Sequence, residues 1–200
     1  GSIVPVPGRD IFVQAWYQGG ISVIDFTDSY HPFEIAYFDR GPILEDELIT
    51  GGFWSAYYYQ GTIYGTEITR GLDVLKLIPS KYLSENEIAA AAMAYPVIGP
   101  RRLFNPQHQV PMTWPAAPEV ARAYIDQLMR DDAISEDSAE RIGDMLDQVT
   151  LAMENGGDNR LARQINSYRL SAKGSNISLT QHRLEKLDAT LKGIAAGLRG

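Results

Sequence analysis

The sequence contains no cysteine, and this absence excludes disulfide bonds, thiolate metal sites and cysteine nucleophiles together. Long hydrophobic runs are also missing. The longest weakly polar stretch, residues 88–98, contains Pro96 and falls well short of the roughly 18 apolar residues of a membrane span. The first ten residues, GSIVPVPGRD, show neither the basic region nor the apolar region of a signal peptide. We therefore expect no membrane span and no signal peptide in this sequence.

Recognisable catalytic motifs are absent as well. The sequence has no G-x-S-x-G nucleophile elbow, no Walker loop and no G-x-G-x-x-G fingerprint. Its three histidines, His31, His108 and His182, lie far apart, and no H-x-x-x-H pair occurs. A zinc site made within this chain is therefore not expected. These absences favour a protein that is not an enzyme, although they leave the question of activity open.

The charge is distributed unevenly along the chain. The net charge is −7, yet residues 158–200 carry eight Lys and Arg against three Asp and Glu. Nucleic acid is not an expected partner for the acidic N-terminal part. The basic C-terminal charges are spread along predicted helices, so a solvated helix face is the favoured interpretation of them.

The strongest pattern present is a repeat of short strands and glycine turns. Residues 52–77, GFWSAYYYQGTIYGTEITRGLDVLKL, predict strands over 54–59, 63–67 and 72–78. A diverged copy upstream, IFVQAWYQGGISVIDF, predicts strands over 11–17 and 21–26, with a further strand over 33–38. Aligning the copies places Ile11 on Ile63 and, after one residue is skipped in the longer turn, Val23 on Val74. Repeated antiparallel units with a period of about 50 residues are typical of β-propeller blades.

A propeller closes with roughly four to eight blades, whereas residues 1–80 hold at most two predicted blades, the first of them lacking its innermost strand. Two blades alone would leave apolar faces and edge strands in water. We therefore expect the missing blades to come from another chain or from an N-terminal part of the same protein.

The remaining sequence predicts a connector and then helices. Residues 81–117 are rich in proline and contain large apolar side chains, so we expect them to pack on a domain surface; Ser84 and Glu87 predict a capped short helix there. Helical periodicity over residues 118–200 predicts a small four-helix bundle. The expected fold class is α+β, with antiparallel blades of a partial β-propeller followed by a helical bundle.

The segments IFVQAWYQGGISVIDFTDSYHPFEIAYFD and GGFWSAYYYQGTIYGTEITRGLDVLKL together resemble the LVIVD-repeat proteins of bacteria. The turn Ser29-Tyr30-His31-Pro32 departs from the D-P form of that repeat, and the second copy lacks the aspartate after its last strand. The resemblance implies a β-propeller that is exported or at the cell surface, with no agreed enzymatic activity. The helical part, residues 118–199, is more loosely similar to the FIVAR/FIMAH-like modules of bacterial surface proteins, which implies a scaffold or glycan-associated role.

Two groups of residues are candidates for ligand binding. The first group is aromatic and would either stack on a sugar or peptide or fill the space between blades: Trp16, Tyr17, Trp54, Tyr57 and Tyr59. The second group is charged and would face a central channel of a completed propeller: Glu67, Arg70 and Asp73.

Calcium is the one cofactor left open by the sequence. Carboxylates are frequent in the strand-rich part, but no D-x-D-x-D spacing occurs, and carboxylates at strand ends commonly accept hydrogen bonds from turn amides. A turn role is therefore favoured for residues such as Asp25, and we expect no cofactor and no other metal.

The favoured hypothesis is a non-catalytic binding or scaffolding protein of the bacterial cell surface or exported space, with a protein or glycan ligand. The alternative is a propeller-type hydrolase or lyase whose acidic site is completed by the missing blades. A third hypothesis is an assembly module whose basic bundle docks an acidic partner.

Overall fold

The structure is a computed structural model and describes residues 1–98, 111–170, 173 and 177–199. The chain divides into two compact units, Gly1–Thr113 and Trp114–Gly200. The first contains antiparallel sheets with one helix, and the second contains helices, so the described residues agree with the predicted α+β class. The described sheets have two to four strands, and none of them closes on itself.

The first unit begins with two antiparallel sheets that follow each other along the chain. The first sheet has the strand order β1-β2-β3-β4 and contains β1 (Ser2–Val4), β2 (Ile11–Ala15), β3 (Ile21–Asp25) and β4 (Phe33–Phe38). The second has the order β5-β6-β7 and contains β5 (Phe53–Tyr59), β6 (Thr62–Glu67) and β7 (Gly71–Leu75). Each sheet is a meander in which chain neighbours pair.

The first sheet has one strand more than the sequence predicts. Residues Ser2–Val4 form β1, which pairs with β2 through the opposed residues Ile3 and Phe12. Pro5 and Pro7 stop this strand after three residues, because proline cannot donate to the ladder and is tolerated only at strand ends and edges. A three-residue strand is too short to show the alternation of apolar and polar residues that predicts a strand. The structure therefore differs from the expectation that the first blade lacks its innermost strand.

The structure shifts the predicted alignment of the two repeats by one residue. In the first sheet Val13 is opposite Val23, and in the second Gly65 is opposite Asp73. Because Ile11 and Ile63 occupy equivalent places, the structural equivalent of Val23 is Asp73 and not Val74. The turn before β7 is two residues shorter than the turn before β3, and a one-residue error in register moves a side chain to the other face of its sheet.

The two sheets pack through one hydrophobic core. The side of each sheet that faces the other is called its inner face. The inner faces contribute the buried residues Ile11, Val13, Ile21, Val23, Phe53, Ala56 and Ile63. Gly65 lies so close to Ile21 that an added Cβ would be 2.7 Å from its Cδ1 atom. The second sheet therefore has no room for a side chain at this position.

A reciprocal backbone bridge ties the sheets together at one end. The amide of Tyr17 donates to Phe53 O at 3.1 Å, and the amide of Phe53 donates to Tyr17 O at 2.8 Å. Gly52 has a φ of +88°, and a Cβ there would lie 2.0 Å from the carbonyl carbon of Tyr17. The bridge thus requires glycine at position 52, because only glycine fits both the positive φ and the close approach.

The first part of the predicted connector belongs to the first unit and enters its core. Helix α1 (Glu85–Ala92) begins at Ser84 with the predicted capping box, in which Ser84 accepts from the amide of Glu87 and Glu87 accepts from that of Ser84. Leu83 and Ala91 are buried in the core of the two sheets. The short strands β8 (Tyr95–Pro96) and β9 (Met112–Thr113) pair with each other, and residues 99–110, which include His108, lie outside the described residues.

The second unit contains the four predicted helices: α2 (Pro118–Arg130), α3 (Glu136–Glu154), α4 (Asn159–Ser167) and α5 (Ile177–Gly197). Helix α5 packs against α2 and α4, and α3 packs against α2. The core of this unit is formed by fully buried aliphatic side chains at helical spacing, including Leu128, Ile142, Leu146, Leu187 and Ile194. Gly156 and Gly157, both at positive φ, follow the end of α3.

Candidate functional site

The structure distributes the predicted ligand-binding residues over three places in the first unit. Trp16, Tyr17 and Trp54 are exposed near the bridge between the sheets, and Tyr57 and Tyr59 are exposed along β5. Glu67, Arg70 and Asp73 lie at or near the turn between β6 and β7, with both carboxylates buried.

Tyr17 and Trp54 form an exposed aromatic pair. Their ring centroids are 5.9 Å apart and their planes meet at 85°, an edge-to-face arrangement. Tyr17 has a φ of +54°, which its bridge to Phe53 stabilises, and the pairing of β5 with β6 is irregular between Phe53 and Ser55, where Trp54 lies. The irregularity and the positive φ together bring both rings to the surface, where an aromatic face is available to a ligand.

The second sheet has an exposed apolar surface on the side away from the core, which we call the outer face. Tyr57, Tyr64 and Val74 are directly opposite one another on β5, β6 and β7, so their side chains form one row. Tyr57 and Val74 are exposed by 54% and 60%, respectively. Leu72 and Tyr59 continue the apolar surface on either side of this row, with exposures of 59% and 63%.

Glu67 accepts hydrogen bonds from the turn and is not free for acid–base chemistry. Its Oε1 accepts from the amide of Gly52 at 2.6 Å, and its Oε2 accepts from the amide of Thr69 at 2.9 Å and from that of Arg70. Burial raises the pKa of Glu67, but the three amide donors outweigh burial and hold this pKa below its ordinary value. Arg70 in turn donates its guanidinium to Pro42 O at 3.2 Å.

Asp73 is a carboxylate on the inner face of the second sheet. It occupies the place that the apolar Val23 has in the first sheet, and only 9% of it is exposed. Its Oδ1 accepts a hydrogen bond from the guanidinium of Arg40, whereas its Oδ2 is buried and has no hydrogen-bond partner among the described residues. The residue opposite Asp73 on β6 is Gly65, which has no side chain to offer that oxygen.

A buried ionic cluster that sequence reasoning missed lies between the first sheet and α1. Arg9 donates to Asp25 Oδ2 at 2.5 Å, to Glu87 Oε1 at 2.8 Å and to Tyr82 O at 2.7 Å. The side chains of all three charged residues are less than 10% exposed. Arg9 and Glu87 are 78 positions apart, so no local pattern links them; the capping box was the only signal at Glu87.

The pKa values of this cluster favour its ionised state. Burial lowers the pKa of Arg9, but Glu87 and Asp25 more than compensate, so that pKa is above its ordinary value. Burial raises the pKa of Asp25, but hydrogen bonds from Thr27 and Arg9 bring it below its ordinary value. Both groups therefore remain charged at neutral pH, and the cluster fixes α1 to the sheets by charge-assisted hydrogen bonds.

Metal ligands do not converge in the described part of the chain. Residues 1–98, 111–170, 173 and 177–199 contain no group of three or more His, Asp or Glu side chains placed to hold an ion. His31 is exposed and pairs with Asp28 at 2.9 Å, and His182 is exposed on α5. None of the described helices is both long enough and apolar enough to cross a bilayer.

An open groove of about 290 Å³ lies beside α5 in the helical unit. Buried Leu187 and Leu191 lie at this groove together with Tyr168, and the charged pair Asp188 and Lys192, 2.6 Å apart, also lines it. Charges of both signs line the groove, and they give no preference for an anionic or a cationic ligand.

The geometry thus describes an α+β chain whose exposed features are the outer face and the Tyr17–Trp54 pair. Comparisons of the chain with protein-family models, with curated proteins and with solved structures found no match.

Proposed function

We propose that this chain is a non-catalytic binding or scaffolding protein whose outer face docks a β-sheet of a partner protein. The observation that supports the proposal is the row of Tyr57, Tyr64 and Val74, in which Tyr57 and Val74 are more than half exposed, extended by Leu72 and Tyr59. Burying a Leu or Val side chain completely stabilises a complex by about 1.5–3 kcal/mol. Leu72 and Val74 are still more than half exposed, so most of that free energy is available to a partner.

The chain itself contains an example of such docking. The inner face of the first sheet is covered by the second sheet, which was recognised as its repeat, through Val13, Phe53 and other aliphatic residues. A partner sheet on the outer face would add a third layer to this stack, packed on the face of the second sheet opposite to the one that the first sheet covers. That arrangement agrees with the expected partner, which is another chain or additional blades of the same protein.

The catalytic alternative has less support. Of the three charged ligand-binding candidates, Glu67 accepts from backbone amides with both oxygens, and Asp73 is paired with Arg40. The pKa of Glu67 is lowered and not raised, whereas a general acid working near neutral pH needs a raised pKa.

A photo-crosslinking residue at position 57 of the full-length protein tests the proposal in the cells from which the sequence comes. We expect position 57 to crosslink to a strand of one β-rich protein, and the same residue at Tyr30, an 89% exposed turn position, to give no such product. Crosslinking that is equal at both positions would contradict docking on the outer face. Recovery of the crosslinked product in the exported or cell-surface fraction tests the localisation that the LVIVD resemblance implies.

A glycan ligand is a second candidate, favoured by the exposed pair of Tyr17 and Trp54. Aromatic side chains offer an apolar face together with a polar edge, which suits a sugar ring. Binding to a glycan array that is lost in Trp54→Ala but kept in Tyr57→Ala would assign the ligand to this pair. Binding that is lost in neither variant would remove this candidate.

A further inference from the structure

The open edge of β7 differs from the corresponding position in the first sheet. In the first sheet, β3 is the strand equivalent to β7. It is covered by β4, and Val23 of β3 lies opposite Ala36 of β4. No strand among the described residues pairs with the free side of β7. An uncovered edge strand presents unpaired N–H and C=O groups that accept an additional strand.

The geometry points to strand addition at β7 by an extended segment of the partner protein that carries Arg or Lys opposite Asp73. This inference rests on the proposed function and names the part of the partner that is recognised. Strand addition to an exposed sheet edge takes its affinity from main-chain hydrogen bonds and its specificity from alternate side chains.

The basic residue follows from the surroundings of Asp73. One oxygen of this buried carboxylate lacks a hydrogen-bond partner among the described residues, and Gly65 occupies the neighbouring position on β6 without a side chain. The other neighbouring position on the inner face lies on the uncovered side of β7. A strand added there places one side chain opposite Asp73, as Ala36 lies opposite Val23 in the first sheet. A cationic donor at that position would satisfy the free oxygen.

The apolar residues of the added strand follow from the outer face. Leu72 and Val74, which flank Asp73, point to the opposite side of the sheet and are 59% and 60% exposed. An added strand therefore meets apolar side chains on one face and a carboxylate on the other. The favoured segment alternates apolar residues with a central Arg or Lys.

The chain's own β4 supplies a probe with known pairing geometry. We would use a fluorescein-labelled peptide of residues 31–40, HPFEIAYFDR, with Ala36→Arg, and a matched peptide with Ala36→Glu. Anisotropy titrations with the full chain are expected to show binding of the Ala36→Arg peptide that is at least about tenfold tighter, because only arginine donates a charge-assisted hydrogen bond to the free oxygen of Asp73. Asp73→Asn in the protein is expected to remove this preference.

Two further protein variants locate the binding edge. Val74→Lys is expected to weaken the Ala36→Arg peptide about tenfold or more, because a lysine on an edge strand opposes pairing. Tyr37→Lys, the same kind of change at a 76% exposed position of β4, is expected to leave the affinity unchanged. Hydrogen exchange of the amides in residues 71–75 should slow when the peptide binds.

The inference is overturned if the two peptides bind equally or not at all, or if exchange in residues 71–75 is unaffected. It is also overturned if the purified chain self-associates through β7 and Val74→Lys dissociates it, because the occupant would then be a second copy. Crosslinking at position 57 without peptide binding would refute strand addition alone. Peptide binding without that crosslink would refute docking on the outer face alone.

Discussion

Removing the cation of the buried cluster is expected to destabilise the first unit strongly. Arg9→Met leaves the carboxylates of Asp25 and Glu87, each at least nine-tenths buried, without their shared partner. Breaking one buried ion pair by removing a partner costs about 3–5 kcal/mol. Because Arg9 pairs with two carboxylates and also donates to Tyr82 O, we expect a loss at the upper end of this range.

Glu87→Gln is the matched control for that substitution. Glutamine keeps the size of the side chain but has one oxygen, which can accept from Arg9 or from the amide of Ser84 and not from both, while Arg9 retains its pair with Asp25. The variant leaves no unpaired carboxylate, but one buried donor loses its acceptor, so we expect it to cost about 1–3 kcal/mol.

Urea denaturation of the full chain measures both free energies of unfolding. A Trp114→Phe background restricts tryptophan fluorescence to Trp16 and Trp54, which belong to the first unit. The reasoning is refuted if Arg9→Met costs no more than Glu87→Gln, since the two carboxylates would then be accommodated without the cation.

Three further predictions concern the turn, the bridge and the bundle. The pKa of Glu67 is lowered, so its ionised carboxylate contributes fully to the free energy of unfolding above the ordinary glutamate pKa of about 4.3. This contribution is lost as pH falls through the lowered pKa. In urea titrations at a series of pH values, Glu67→Gln should abolish this loss of stability in acid. Gly52→Ala should cost about 3 kcal/mol or more, whereas Gly71→Ala, with positive φ but open space around it, should cost about 1–2 kcal/mol by the same measurement. Leu146→Ala should destabilise the helical unit by about 2–5 kcal/mol in thermal unfolding followed by circular dichroism, and equal destabilisation of the first unit would contradict the division of the chain.

Features with a local signal were predictable from the sequence. The capping box at Ser84 and Glu87 was predicted because its two hydrogen bonds join residues three positions apart. The order of strands in each meander was predictable because chain neighbours separated by short turns pair with one another.

Features that depend on register or on distant residues were not predictable. The equivalence of Val23 and Asp73 depends on the length of the turn before β7. The sequence alignment misjudged this length by one residue and placed Val23 on Val74. The pairing of Arg9 with Glu87 joins residues 78 positions apart and depends on where α1 packs. The sequence identified the residue types of the candidate site. Only the sheet geometry shows that Tyr57 is exposed whereas Glu67 is buried.

The reciprocal bridge between Tyr17 and Phe53 has a consequence for tolerance to change in chain length. The crossing from β4 to β5 is held near both ends, since Arg40 donates to Asp73 near its start and Gln18 donates to Ile49 O at 2.5 Å near its end. Between these points Leu48 is 92% exposed. Doubling the length of a flexible loop costs only about 0.6 kcal/mol when its ends are held. Residues 44–48 are therefore a place where natural insertions, or an engineered tag, can be accommodated without disturbing either sheet.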